Sequence, residues 1–189
     1  MRARPSWPRL CEVASTQEGY FTTEQAAVVG FSTQLLNKHL VAGRIRRSRR
    51  CVYRLAHIPV GDHEALVVWW LWSERAGIFS HETALALHNL SDPFPGQVRL
   101  ILPTVRRARR IRAPAGVDLH YADVDDHDRT SVGPLPVTSA RRTLADCAAS
   151  DMSVDTIREA LGRAIRRRLV TKREAEDIER AIAEAPMTP

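Results

Sequence analysis

Residues 21–55 read FTTEQAAVVGFSTQLLNKHLVAGRIRRSRRCVYRL, and the spacing of capping residues within this stretch decides the fold around it. Thr22 is a good helix N-cap, Gln25 stands where the second half of a capping box belongs, and Phe21 is placed as the staple residue before the cap. Gly30 can take the left-handed conformation that stops a helix. Ser32 then offers a second N-cap, with Phe31 and Leu36 as its staple. The helix that follows, residues 33 to about 41, puts Leu35, Leu36 and Leu40 on one side and Thr33, Gln34, Asn37 and Lys38 on the other. After Gly43 come two extended pieces, residues 44–47 and 51–55, joined by a Ser-Arg turn into a hairpin carrying Arg44, Arg46, Arg47, Arg49, Arg50 and Arg54. Helix, tight turn, helix and basic hairpin in this order predict a winged helix-turn-helix.

Such an arrangement suits duplex DNA. Glutamine and asparagine can pair bidentately with adenine in the major groove, while arginines hold the backbone and fix the register. The candidate DNA-binding residues are therefore Ser32, Thr33, Gln34, Asn37 and Lys38 on the second helix, and Arg44, Arg46, Arg47, Arg49 and Arg50 on the hairpin. A glycine turn between short helices also occurs in unrelated bundles, and an arginine run is most often a solvated face. The order of the four elements favours the nucleic-acid reading over either.

Charge is distributed to match. The chain has a net charge of +6, yet its first sixty residues hold ten Lys and Arg against three acids, Glu12, Glu18 and Glu24. All the excess positive charge lies there, which points to a polyanion partner for one half only. With 189 residues and 44% hydrophobic content, the chain can bury one large core or two small ones. Its longest apolar run, ALVVWWLW at residues 65–72, is far short of the roughly 20 residues that span a bilayer. The basic start, MRARP, is followed by no apolar core, so neither a secretory leader nor a membrane partner is expected and the protein should be cytoplasmic. Cys11, Cys51 and Cys147 are widely spaced and form no CxxC, which predicts reduced thiols.

Upstream, Trp7, Leu10, Cys11, Val13 and Ala14 are spaced for a short amphipathic helix within residues 5–17, with Trp7 in the core. The first domain should end near residue 58, in AHIPVG, and a second should span residues 62–189. Asp62 is placed to cap a helix, residues 63 to about 76, that is apolar almost all round and so predicted at the centre of the second domain. Ser80 should cap a helix to about Asn89. Strands are expected at 97–102 and 117–121, and a short strand should enter a helix through Thr138 or Ser139. Ser153 opens a further helix with Val154, Ile157, Leu161 and Ile165 along one stripe, and Thr171 with Glu174 should box the last, to about Ala185. The fold class predicted is α+β, a winged helix-turn-helix followed by a mixed α/β carboxy-terminal domain.

The second domain offers three candidate chemistries. Arg106, Arg107, Arg109, Arg110 and Arg112 form a second basic block that could extend a phosphate-binding surface. Asp123, Asp125, Asp126, His127 and Asp128 form an acid cluster that could hold Mg²⁺ in a nuclease, though a solvated loop is the commoner identity of such a run. Arg141 and Arg142 sit at a helix start with hydroxyls, where an anion could bind, although Arg142 is also spaced to pair with Asp146. His81 and His88 lie two helical turns apart, too far for one metal ion. No nucleotide-binding lysine loop, nucleophile elbow or zinc-protease motif is present. No catalytic residue, metal ligand or cofactor site is assigned.

The segment GYFTTEQAAVVGFSTQLLNKHLVAGRIRRSRRCVYRL resembles the amino-terminal winged-helix domain of the AbiEi family, antitoxins of bacterial abortive-infection (type IV toxin-antitoxin) systems. GIFSHETALALHNL and PLPVTSARRTLADCA resemble two segments of the domain that follows in many such proteins, and together the three cover roughly residues 19–149. The resemblance implies a non-enzymatic transcriptional repressor that binds inverted repeats of double-stranded DNA in its own promoter. It also implies a carboxy-terminal antitoxin domain that counters a nucleotidyltransferase-like toxin. The sequence departs from longer relatives that append a nuclease-like domain, for which a chain stopping at Pro189 leaves no room. Two rival expectations are a metal-dependent DNA nuclease built on Asp125 and Asp126, and a protein-interaction module whose basic faces grip an acidic toxin without DNA.

Overall fold

The structure, a computed structural model, describes residues 4–92 and 96–184. It is an α+β protein whose chain divides into two compact units, Met1–Arg75 and Ala76–Pro189.

In the first unit the elements run α1 (Trp7–Ser15), β1 (Tyr20–Thr22), α2 (Thr23–Val28), α3 (Thr33–Val41), β2 (Ile45–Arg49), β3 (Val52–Leu55) and α4 (Glu64–Trp72). The three strands form an antiparallel sheet in the order β1-β3-β2. The predicted capping box closes as expected: Thr22 Oγ1 accepts from the Gln25 amide at 3.2 Å, and Gln25 Oε1 accepts from the Thr22 amide at 2.9 Å. Gly30, with φ of +94°, ends α2, and the Ser32 hydroxyl caps α3 by accepting from the Leu35 amide at 3.2 Å. One face of the sheet, with Phe21, Tyr53, Leu55 and Ile45, closes over Leu10, Ala14, Ala26 and Leu36 from the three helices and Phe31 from the turn between α2 and α3.

Four expectations are corrected in this unit. The hairpin turns at Arg50 and Cys51, not at Ser48 and Arg49; Cys51 takes φ of +63°, and a bulge at Ser48 absorbs the extra residue. The division between units falls after Arg75 instead of near residue 58, because α4 packs on β1 and β3. That helix was expected at the centre of the second domain. An all-round apolar helix declares that it is buried but not against what. It also starts without a side-chain cap from Asp62, with His63 at the cap position.

The second unit contains β4 (Ile78–Phe79), α5 (His81–Leu87), β5 (Val98–Leu102), β6 (Val117–Tyr121), β7 (Arg129–Val132), β8 (Leu135–Thr138), α6 (Ala140–Ala148), α7 (Val154–Arg166) and α8 (Lys172–Glu184). Its sheet has the order β6-β5-β4-β8-β7, parallel at β5/β6 and β4/β8 and antiparallel at β4/β5 and β7/β8. Gly77 lets the chain pass close to Leu100, since a Cβ there would meet that side chain at 2.8 Å. Helices α5 to α8 share a core that includes Leu85, Leu144, Cys147, Ile157, Leu161, Ile178 and Ile182. The Thr171–Glu174 box forms, with the Thr171 amide donating to Glu174 at 2.7 Å and the Glu174 amide donating back to Thr171 at 3.3 Å. The expected stop of α8 near Ala185 lies outside the described residues.

Here too the sequence reading needs amendment. Ser80 precedes α5 without capping it; its hydroxyl pairs with His81 Nδ1 at 2.9 Å. Ile165 is 49% exposed, and the buried stripe of α7 is Ile157, Ala160, Leu161 and Ala164. Strand β7 was not anticipated.

Candidate nucleic-acid interface

Helix α3 is pinned from behind. Leu36 is fully buried, and the His39 ring packs against those of Trp7 and Phe31, at centroid distances of 4.9 and 5.7 Å. Burial holds the His39 pKa below the ordinary histidine value, with Arg44 and Lys38 pushing the same way. With its rear face fixed, the helix presents Thr33, Gln34, Asn37 and Lys38, all exposed, as one polar face. The Ser32 hydroxyl is occupied as the cap. The same face ends in Val41, which is 92% exposed and was not among the candidate residues.

The wing supplies the cations. Arg44, Arg46, Arg47, Arg49 and Arg50 are all exposed. Two of them are also steadied: the Arg47 guanidinium lies 5.8 Å from the centroid of the Tyr53 ring, and that of Arg49 lies 3.7 Å from the centroid of Trp69. Arg54 departs from the expectation that all six hairpin arginines point at phosphate. It is 8% exposed, donates to the Ile58 carbonyl and lies 5.9 Å from the centroid of Tyr20. Arg54 lies on the central strand, paired with Tyr20 on the sheet face that α4 covers, whereas Arg46, its register partner on the other side, sits on the edge strand β2 and stays exposed. The Tyr20 hydroxyl donates to Glu64 on α4 at 2.8 Å; burial, then Glu64, push its pKa up to about 12.

In the second unit, the candidates form separate small networks. Arg106, Arg107 and Arg109 lie in a 3-10 turn spanning Thr104–Arg109, followed by Arg110 with φ of +47°. Asp123 fixes the start of that turn, accepting from the Thr104 amide at 3.0 Å and its hydroxyl at 2.5 Å, and these bonds hold its carboxyl below the usual range. Arg107 lies 5.6 Å from the Tyr121 ring centroid. Asp128 is 5% exposed and is paired with Arg141 and, at 3.2 Å, with Arg142, which also donates to Asp146 at 2.7 Å. The arginines at the start of α6 thus already face carboxylates. Among the described residues no group of three or more His, Cys, Asp or Glu side chains is placed to hold a metal ion.

One constellation escaped the sequence reading. Arg99 on β5 lies 3.2 Å from Glu82 on α5, 2.5 Å from Asp118 and 3.1 Å from His120 on β6, while His120 stacks on His81 at 5.1 Å. The parallel register that pairs Arg99 with Asp118 brings these residues together, and nothing in the sequence announces that pairing. His88 donates from Nε2 to the Thr138 carbonyl at 2.8 Å. Burial lowers the pKa of both His81 and His88.

Among the described residues no helix is long and apolar enough to cross a membrane. No family model matches the chain, and no curated protein matches it. Among solved structures it is similar to the RV2827C protein from Mycobacterium tuberculosis, at 14% identity and a TM-score of 0.47, over 100% of this chain and 85% of that one.

Proposed function

We propose that the chain is a cytoplasmic, DNA-binding transcriptional repressor of AbiEi type that binds inverted repeats in its own promoter. As the antitoxin of a type IV system, it counters a nucleotidyltransferase-like toxin. The observation that carries the DNA-binding part is the exposed face of α3, Gln34, Asn37 and Lys38, beside the exposed arginines of β2. A polar helix face that can pair with base edges, next to cations that can neutralise phosphates, combines the two components that sequence-specific binding needs. The antitoxin part rests on the resemblance of three segments to that family.

Two experiments test the two parts. Duplex DNA from the region upstream of the chain's own gene should be retarded by the full chain in preference to scrambled duplex, and the Gln34→Ala/Asn37→Ala variant should lose most of that preference. Equal affinity for both duplexes would overturn the repressor. Co-expression with a nucleotidyltransferase encoded beside it should restore growth that the nucleotidyltransferase alone arrests. Unrelieved arrest in the presence of folded chain would overturn the antitoxin.

A further inference from the structure

Val41 is the last residue of α3 and is 92% exposed. A single apolar side chain in water is ordinary on any protein surface, so its position is what counts. Spacings of seven, four and three residues from Gln34, Asn37 and Lys38 put it on their face, between the lines that Asn37 and Lys38 trace along the helix. Valine is also a poor helix former compared with alanine. Neither packing nor helix propensity accounts for it there. In the major groove the one apolar feature on a base edge is the methyl group at C5 of a pyrimidine, and a small aliphatic side chain is its natural partner.

We infer that Val41 reads a pyrimidine C5-methyl group, that of thymine or of 5-methylcytosine, in the bound duplex. The inference rests on the repressor reading above and adds one specificity-determining residue to it. With a rise of about 1.5 Å per residue, Val41 stands roughly 10 Å beyond Gln34 along the helix, or about three base-pair steps of 3.4 Å. The methyl group it meets therefore belongs about three base pairs from the base that Gln34 reads.

The test uses the full chain and a duplex that it selects from a random-sequence pool. Each thymine is replaced in turn by deoxyuridine, which removes only the methyl group, and each cytosine in turn by 5-methylcytosine. For the wild-type chain, affinity should fall about threefold to fivefold at one thymine of each half-site, the worth of one methyl group kept from water. Val41→Ala should bind the unmodified duplex more weakly by a similar factor and show no further loss on that replacement. A gain confined to 5-methylcytosine, seen with wild type and absent from Val41→Ala, would identify methylated cytosine as the source of the methyl group. The position should lie about three base pairs from the one at which Gln34→Ala loses discrimination. Because alanine favours the helix, the melting temperature of Val41→Ala should equal or exceed that of wild type. Silence at every modified position, or equal sensitivity in wild type and Val41→Ala, overturns the inference while leaving the repressor standing. Selection of no preferred duplex overturns both.

Discussion

The guanidinium of Arg49 at the end of β2 stacks 3.7 Å from the centroid of Trp69 on α4. A cation over an indole face at this distance is a favourable contact, strengthened because Trp69 itself is only 8% exposed. Together with the bond from Tyr20 to Glu64, it ties α4 to the sheet that carries the wing. The winged-helix unit is therefore longer than its sequence pattern.

A fragment ending at Arg75 should accordingly melt in one cooperative transition, and a fragment ending at residue 58 should not. In the full chain, Trp69→Ala should cost about 3 kcal/mol or more, in the range of large-to-small aromatic substitutions in cores. Urea unfolding followed by circular dichroism measures both. A cooperative transition in the shorter fragment would contradict the role given to α4.

Base-reading and phosphate-holding residues should behave differently on DNA. Gln34→Ala or Asn37→Ala should weaken the preferred duplex by about 1 to 3 kcal/mol and relax discrimination at one position. Arg46→Ala should weaken all duplexes alike and lower the slope of log affinity against log salt by about 0.9. Titrations at several salt concentrations separate the two patterns, and identical behaviour of both variant types would contradict the assigned geometry.

Asp128 pairs with both Arg141 and Arg142 at the start of α6. Asp128→Ala should destabilise the second unit by about 1 to 3 kcal/mol, less than the loss of a fully buried partner because both arginines keep part of their surface in water. Asp126→Ala, at an exposed position, should change stability by less than about 0.5 kcal/mol. Denaturant midpoints of the two variants give the comparison.

His81 and His88 make stability depend on pH. Burial holds both below the ordinary histidine value, so near pH 6 the unfolded chain binds more protons than the folded one. Their contribution is complete above about pH 6.5 and is lost as pH falls below it, by at most about 1.4 kcal/mol per pH unit per histidine. The urea midpoint should be lower at about pH 5.5 than at about pH 7.5, and His88→Gln, which retains a donor for the Thr138 carbonyl, should reduce the difference. Equal midpoints at the two pH values would contradict this.

Much of the first unit is legible in the sequence because its boundaries are written in local chemistry. Thr22 with Gln25, Gly30 and Ser32 each act on residues no more than four positions away, and each does what its type and spacing imply. Long-range partners are not written that way. The sequence shows that the ALVVWWLW helix is buried without showing that a wing sheet covers it. It shows Arg54 in a basic run without showing that the β3 register turns it inward. Strand β7, RTSV at the sheet edge, has neither alternation nor an apolar run to mark it. The knot of Glu82, Arg99, Asp118 and His120 exists only once β5 and β6 are paired in parallel. On α3 the side predicted to face outward is exposed as expected; the exposure of Val41 is not legible, because its apolar type does not mark which surroundings a helix end meets.

The most direct measurement is the ratio of affinities of the full chain for its selected duplex and for a scrambled duplex at one fixed, near-physiological salt concentration, taken for wild type and for Gln34→Ala/Asn37→Ala. The proposal predicts a ratio of about 10³ or more for wild type, falling by at least tenfold in the variant while scrambled-duplex affinity holds. A wild-type ratio near one, or a variant ratio equal to wild type, would contradict the central claim that this helix reads DNA.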